Sequence, residues 1–230
     1  MSYFDFVSKI NKNHIKTIFE LGSRDLIDAI KLHDFYNCKI YAFECNPDCL
    51  IECNKNLLKL NEDTKKDIIL VNKAVSLTNS NVSFYPFDLN KYNNMGSSSM
   101  YKIDFSKRDI GDPDYNRSNP QKEIIVEGTR LDTFIDENNI DNIDLLCIDL
   151  QGYELNALKS FGEYLNKVKY IISECSIRTT YTGGCSFIEL ENYLSSYGFK
   201  YICSNKFQNN YPDLNLTGFN EFDALFFKVF

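Results

Sequence analysis

Two short apolar runs, Lys16 to Leu21 (KTIFEL) and Lys39 to Phe43 (KIYAF), are each followed at once by turn residues and then by a helical pattern. Runs of this length, rich in β-branched and aromatic residues and bounded by turn signals, read as buried strands. The first stops at Gly22, and a helical pattern follows over Asp25 to His33. The second ends at Glu44, with Asn46 and Pro47 opening a helix that reaches about Leu60. Neither strand alternates polar and apolar residues, so both faces must be covered. Parallel strands need helical crossovers, and those crossovers supply the cover. A chain that starts βαβα in this way is confined to a parallel sheet with helices on both sides.

The rest of the chain keeps the rhythm. Strands are expected at Asp67 to Val71, Asn81 to Phe87, Glu123 to Val126, Ile143 to Leu150, Lys169 to Cys175, Lys200 to Cys203 and Asp223 to Val229. Helices are expected at Leu131 to Asn138, Tyr153 to Phe161 and Phe187 to Tyr197. The economical fold is α/β, doubly wound, with a mostly parallel sheet. Residues 88–121, rich in Asn, Ser, Asp, Gly and Pro, are too long for an ordinary connection and read as an inserted loop or lid. With 43% hydrophobic residues, the 230-residue chain can fill one core, so residues 1–230 are read as a single domain.

Composition removes several function classes. A formal charge of −7 disfavours a nucleic-acid backbone as the main partner. No run approaches the length of a membrane span, and Met1 to Ile10 lacks a basic-then-apolar signal pattern, so a cytoplasmic protein is expected. The eight cysteines contain no C-x-x-C pair, which fits a reducing compartment. Cys45, Cys49 and Cys53 recur every four residues and read as the inner face of a helix rather than a metal site.

Open α/β sheets bind ligands beyond the carboxyl ends of their strands, where strand order reverses. The first turn, Glu20-Leu21-Gly22-Ser23-Arg24-Asp25, offers a flexible glycine, the free N–H groups of a helix start and two acids. Glu44 follows Gly22 by 22 residues, the place where an acid holds ribose hydroxyls in nucleoside sites. The turn lacks the three glycines of G-x-G-x-x-G, which argues against a nicotinamide dinucleotide, and no P-loop is present. An acidic turn suits a ligand cationic at an amine and a sulfonium, with Glu20 and Asp25 supplying the charge. Asp149, closing an otherwise apolar strand, is placed to act as a base; Glu174 is the other candidate. The only histidines, His14 and His33, do not follow strands. Asn93, Asn94, Ser97, Ser98 and Ser99 form a polar patch suited to a polyol, and Tyr92, Tyr101 and Tyr181 offer flat faces for a sugar ring.

These residues resemble the FkbM-type methyltransferases, which depend on S-adenosylmethionine and have a Rossmann-like seven-strand sheet. The resemblance runs from Lys16 to Phe227. It rests on Phe19 to Asp25, Tyr41 to Pro47, Asn72 to Val75, Thr129 to Asp132 and Ile143 to Leu155, and the D-x-Q-G-x-E core of the last segment, Asp149 to Glu154, is the most specific. It implies that Glu20, Gly22 and Ser23, with the neighbouring Arg24 and Asp25, line the methionine end of the cofactor. It further implies that Glu44 holds the ribose, that Cys45 and Ala74 flank the adenine, and that Asp149 faces the transferred methyl. Asn94, Ser98, Glu174 and Tyr181 are the expected acceptor contacts. The implied activity is O-methyl transfer to a small hydroxylated acceptor, a sugar or glycan. Family members commonly carry Gly at the position of Leu26, and often Lys and Glu at those of Cys147 and Gln151. These departures motivate the competing reading, a non-catalytic nucleoside-binding or regulatory domain.

Overall fold

The computed structural model describes residues 3–90, 95–104, 121–216 and 221–229. Its frame is a seven-stranded sheet built from β1 (Thr17–Leu21), β2 (Lys39–Phe43), β3 (Ile68–Val71), β7 (Leu145–Ile148), β8 (Tyr170–Ser176), β9 (Phe199–Ser204) and β10 (Glu221–Lys228). The order across the sheet is β3-β2-β1-β7-β8-β10-β9. The first five strands in that order run parallel, and β10 lies antiparallel between β8 and β9. The chain winds outward from β1 through β2 to β3, then returns to place β7 on the other side of β1. Strand order therefore reverses between β1 and β7, and a crevice opens beyond their carboxyl ends.

Adjacent residues of each central strand point to opposite faces and feed two cores. Phe19, Leu21, Phe43, Leu146 and Ile148 face α4 (Leu131–Glu137), α5 (Glu154–Ser160) and α6 (Phe187–Ser196). Ile18, Ile40, Ala42, Leu145 and Cys147 face α1 (Ile27–Tyr36) and the N-terminal 3-10 segment Tyr3–Lys9, whose Tyr3 and Phe6 are buried there. Burial on both faces explains why these strands carry no polar alternation. Local signals set the helix starts. The Asn46 side chain caps α2 (Pro47–Leu58) by accepting from the Asp48 N–H at 3.1 Å, with Pro47 in the first turn. Ser186 and Glu189 form a reciprocal capping box on α6.

Three features depart from the expectations. The helix after β1 begins at Ile27 rather than Asp25, because Arg24 and Leu26 both adopt left-handed conformations (φ 54° and 69°). Leu26 stands where the resemblance implies that glycine is common, and only glycine takes a left-handed conformation without steric cost. Here the cost of about 1–2 kcal/mol is offset by complete burial of the leucine side chain, worth about 1.5–3 kcal/mol. A short helix, α3 (Glu62–Asp67), precedes β3. The segments expected near 81–87 and 123–126 are β5 (Asn81–Phe84) and β6 (Ile124–Thr129). With β4 (Ala74–Val75) they form a separate three-stranded sheet, β4-β6-β5.

The described part of the long insertion is stitched to the frame. Tyr85 bridges to Ser99, Phe87 to Gln121 and Ile103 to Tyr181. Among the described residues, no helix is long and apolar enough to cross a membrane.

Candidate active site

The carboxyl ends of β1, β2 and β7 converge because the turns that follow them are bonded together. The N–H groups of Gly22 and Ser23 both donate to the Phe43 carbonyl at 3.0 Å, and the Asp149 N–H donates to the Leu21 carbonyl at 2.9 Å. A cleft of about 870 Å³, open to solvent, lies beyond them. Glu20, Gly22, Ser23 and Arg24 of the first turn, Glu44, Cys45 and Asn46 of the second, Ala74, and Asp149 with Gln151 all line it.

Each wall has its own chemistry. Glu20 is 1% exposed, and the Ser23 hydroxyl donates to its carboxylate. Burial pushes the Glu20 carboxyl up to about 8, with the Ser23 bond opposing. Glu44 accepts three backbone N–H bonds, from Cys45 (2.8 Å) and Asn46 (2.7 Å) on one oxygen and from Arg24 (2.8 Å) on the other. A carboxylate offers about four acceptor positions, so Glu44 is fixed in orientation with one left, on the oxygen that Arg24 holds. Burial nevertheless raises it to about 7. Cys45 and Ala74 pack with Phe84 and Met100 into an apolar wall beside these acids.

The far side of the cleft is the D-x-Q-G-x-E segment, in which each conspicuous residue plays a different part. Glu154 clamps the turn by accepting from the Leu150 and Gly152 N–H groups, both at 3.0 Å. Gly152 has φ 95°, and a Cβ there would lie 2.9 Å from that of Tyr181. Gln151, itself left-handed at φ 53°, donates its amide to Asp149 Oδ1 at 2.8 Å and to Glu174 Oε2 at 2.7 Å. Its carbonyl accepts from the Tyr181 hydroxyl at 2.7 Å, which fixes the amide orientation. Two carboxyl groups thus share one amide. Burial raises both, and the charge of Asp149 drives Glu174 further up, so Glu174 is the member that keeps its proton.

Several expected contacts are placed elsewhere. Asp25 does not line the cleft. Its Oδ1 accepts from the Ile27 N–H at 3.1 Å and it pairs with Arg24 at 3.3 Å, while Asp28, one helical turn on, faces the cleft instead. Tyr181 is 2% exposed, packed with Phe87 and Ile103, so its ring offers no face to a sugar; its hydroxyl supports the site through Gln151 and also reaches the Ser97 carbonyl at 3.1 Å. Glu174 lies behind Gln151, in an adjoining recess with Glu154 and Cys185. Ser98 does line the cleft, accepting from Asn46 Nδ2 at 3.3 Å. The Ser99 hydroxyl donates to the Gln151 carbonyl at 2.8 Å, so residues 95–104 span from the β2 end to the β7 end. Asn94, Tyr92 and Asn93 lie outside the described residues. Tyr101 packs on Tyr153 with ring centroids 5.1 Å apart. Cys49 and Cys53 are buried on the inner face of α2, and among the described residues no three His, Cys, Asp or Glu are grouped to hold a metal ion.

The cleft is acidic. Glu20, Asp28, Glu44 and Asp149 line it, whereas its two cations are engaged, Arg24 with Asp25 and Lys73 with Glu127 at 2.8 Å. A pH dependence follows. Glu20 and Glu44 hold protons more tightly in the folded state than in the unfolded chain, so the stability they contribute is full below about pH 4.5 and is lost as pH rises through about 7 to 8. The thermal midpoint should fall between pH 5 and about pH 8.5, and Glu20→Gln should flatten that fall. An unchanged slope in the variant, followed by calorimetry, would show that Glu20 is not the group responsible.

A 2-O-methyltransferase, NoeI of Sinorhizobium fredii, is 26% identical over 171 residues, which is 72% of this chain and 65% of that protein. The chain therefore spans about two thirds of the relative's length. Among solved structures, TrmK of M. capricolum with S-adenosylhomocysteine aligns with a TM-score of 0.52 at 15% identity, covering 99% of this chain and 69% of that one. The magnesium protoporphyrin IX methyltransferase ChlM of Synechocystis PCC 6803, with S-adenosylmethionine bound, aligns at 0.51 and 6% identity, covering 98% and 76%. A fibrillarin pre-rRNA processing protein of Methanococcus jannaschii aligns at 0.51 and 12%, covering 95% and 69%. At such identities these likenesses establish the fold, a Rossmann-like one shared by methyltransferases of different substrates. The methyltransferase FkbM domain matches residues 23–201, from the first turn of the cleft to the strand at the sheet's edge, and the chain belongs to that family.

Proposed function

We propose that this chain transfers the methyl group of S-adenosylmethionine to a hydroxyl oxygen of a small acceptor, a sugar or glycan. The family is S-adenosylmethionine-dependent, which supplies the methyl donor. The observation that carries the reading is the convergence of Glu20, Glu44 and Asp149 on one cleft at the sheet's switch point. Four carboxyl groups line it; burial keeps Glu20 and Glu44 partly protonated near neutral pH, a sulfonium and an ammonium would draw them into the ionised form, and a polyanion is disfavoured.

In this reading Glu44 uses its remaining acceptor position for a ribose hydroxyl, and the Cys45, Ala74 and Phe84 wall takes the adenine. Glu20 and Ser23 face the amino-acid end. When bound, S-adenosylmethionine supplies an electrophilic methyl carbon and a thioether leaving group. Asp149, held by the Gln151 amide and ionised while Glu174 keeps the shared proton, takes the proton of the acceptor hydroxyl as its oxygen forms the new bond to carbon. Alignment supplies much of the acceleration in such an in-line displacement, up to about 7–11 kcal/mol. Met95, Gly96, Ser98 and Met100 form one wall of the cleft. The 2-O-methyltransferase relative supports oxygen as the methylated atom.

The test is incubation with methyl-labelled S-adenosylmethionine and panels of hydroxylated sugars, amines and RNA. Label on a sugar oxygen is expected. Label on nitrogen or on RNA would replace the acceptor assignment.

A further inference from the structure

One polar group in the cleft is left unexplained by these roles. Tyr3 belongs to the N-terminal 3-10 segment Tyr3–Lys9, outside the matched family region of residues 23–201. Its ring packs in the core beneath β1 and β7, with Phe6, Ile18, Leu26 and Cys147, and the residue is 2% exposed. Yet it lines the cleft beside Glu20 and Asp28, and its hydroxyl has no hydrogen-bond partner among the described residues. The hydroxyl is not one of the fold's buried unpartnered polar atoms, as those of Tyr36 and Thr180 are, so it meets the cleft rather than the core and stands as a donor for whatever occupies it.

The chemistry of the surroundings selects the ligand group. Burial is the first cause that keeps the Tyr3 phenol protonated, and Glu20, Cys147, Asp149 and Asp28 add to it. The phenol therefore remains an O–H donor and awaits an acceptor. The Ser23 hydroxyl is committed to Glu20, and the Arg24 guanidinium is paired with Asp25. Any carboxylate entering this acidic end needs a donor of its own.

From this juxtaposition we infer that Tyr3 is a cofactor-specificity residue, its hydroxyl donating to the carboxylate of the methionine moiety. This assignment rests on the cofactor site proposed above. It also explains why the N-terminal segment folds against the sheet where it does, since it brings a donor to the one end of the cleft whose own side chains are acids or are already engaged.

The test compares wild type with Tyr3→Phe by calorimetric titration, using S-adenosylmethionine and decarboxylated S-adenosylmethionine, which keeps the sulfonium and ammonium and lacks the carboxylate. Removal of one hydrogen bond to a charged group should weaken S-adenosylmethionine about tenfold and decarboxylated S-adenosylmethionine less than about twofold. Because the hydroxyl has no partner in the fold, the variant should melt at or above the wild-type temperature. Equal weakening of both ligands, or no weakening of either, would overturn the assignment. If wild type binds neither ligand in a folded sample, the cofactor site itself is wrong and the role of Tyr3 falls with it.

Discussion

Replacing Gly22 with alanine should abolish cofactor binding and lower stability by about 3 kcal/mol or more. Two independent costs meet at this residue. Its φ of 90° is a conformation that side chains rarely tolerate, and a Cβ would fall 1.9 Å from the Asp149 carbonyl oxygen. That oxygen belongs to the backbone, so no rotamer change relieves the clash. The β1 and β7 ends would have to separate, breaking the bond from the Asp149 N–H to the Leu21 carbonyl and moving Asp149 away from Glu20 and Glu44. Denaturant unfolding with S-adenosylhomocysteine titration measures both consequences. A variant with wild-type stability and affinity would mean that the close approach of the two strand ends is not what forms the site.

Asp149→Ala should behave differently, leaving the fold intact while transfer falls by about 10²–10⁴-fold, the usual contribution of a positioned base. The charge of Asp149 opposes the ionisation of Glu174 across the Gln151 amide, so its removal relieves Glu174. Asp149→Asn, which keeps an acceptor for the Gln151 amide, is expected to be no less stable than wild type. Single-turnover rates at saturating cofactor isolate the chemical step from binding. A rate within about threefold of wild type would remove Asp149 from the reaction and move the base to another group. The same comparison separates an enzyme from a non-catalytic nucleoside-binding domain, since only the former has a rate to lose.

The placement of Glu20, Glu44 and Asp149 on a common edge is legible in the sequence, because each lies within one residue of the end of a short apolar strand and parallel strands present their ends on one side. The choice between Asp25 and Asp28 is not. It depends on where α1 begins, and that is set by left-handed backbone at Arg24 and Leu26, conformations that neither residue type announces. The three-stranded side sheet is hidden for a similar reason: β4 has two residues, too few to carry a period. Tyr181 reads in the sequence as a ring for a sugar and is in fact a buried support for Gln151, a distinction made by tertiary packing around Gly152 rather than by local pattern. Tyr3 gives no local signal, since it reaches the cleft only because its segment folds beneath β1 and β7.

If the crevice between β1 and β7 is an S-adenosylmethionine site, calorimetric titration of the folded protein with S-adenosylhomocysteine will register it. The expected result is saturable one-to-one binding that is weakened by Glu44→Ala, which removes the acid assigned to the ribose. Absence of heat in a sample shown to be folded, or binding indifferent to the loss of Glu44, would contradict it.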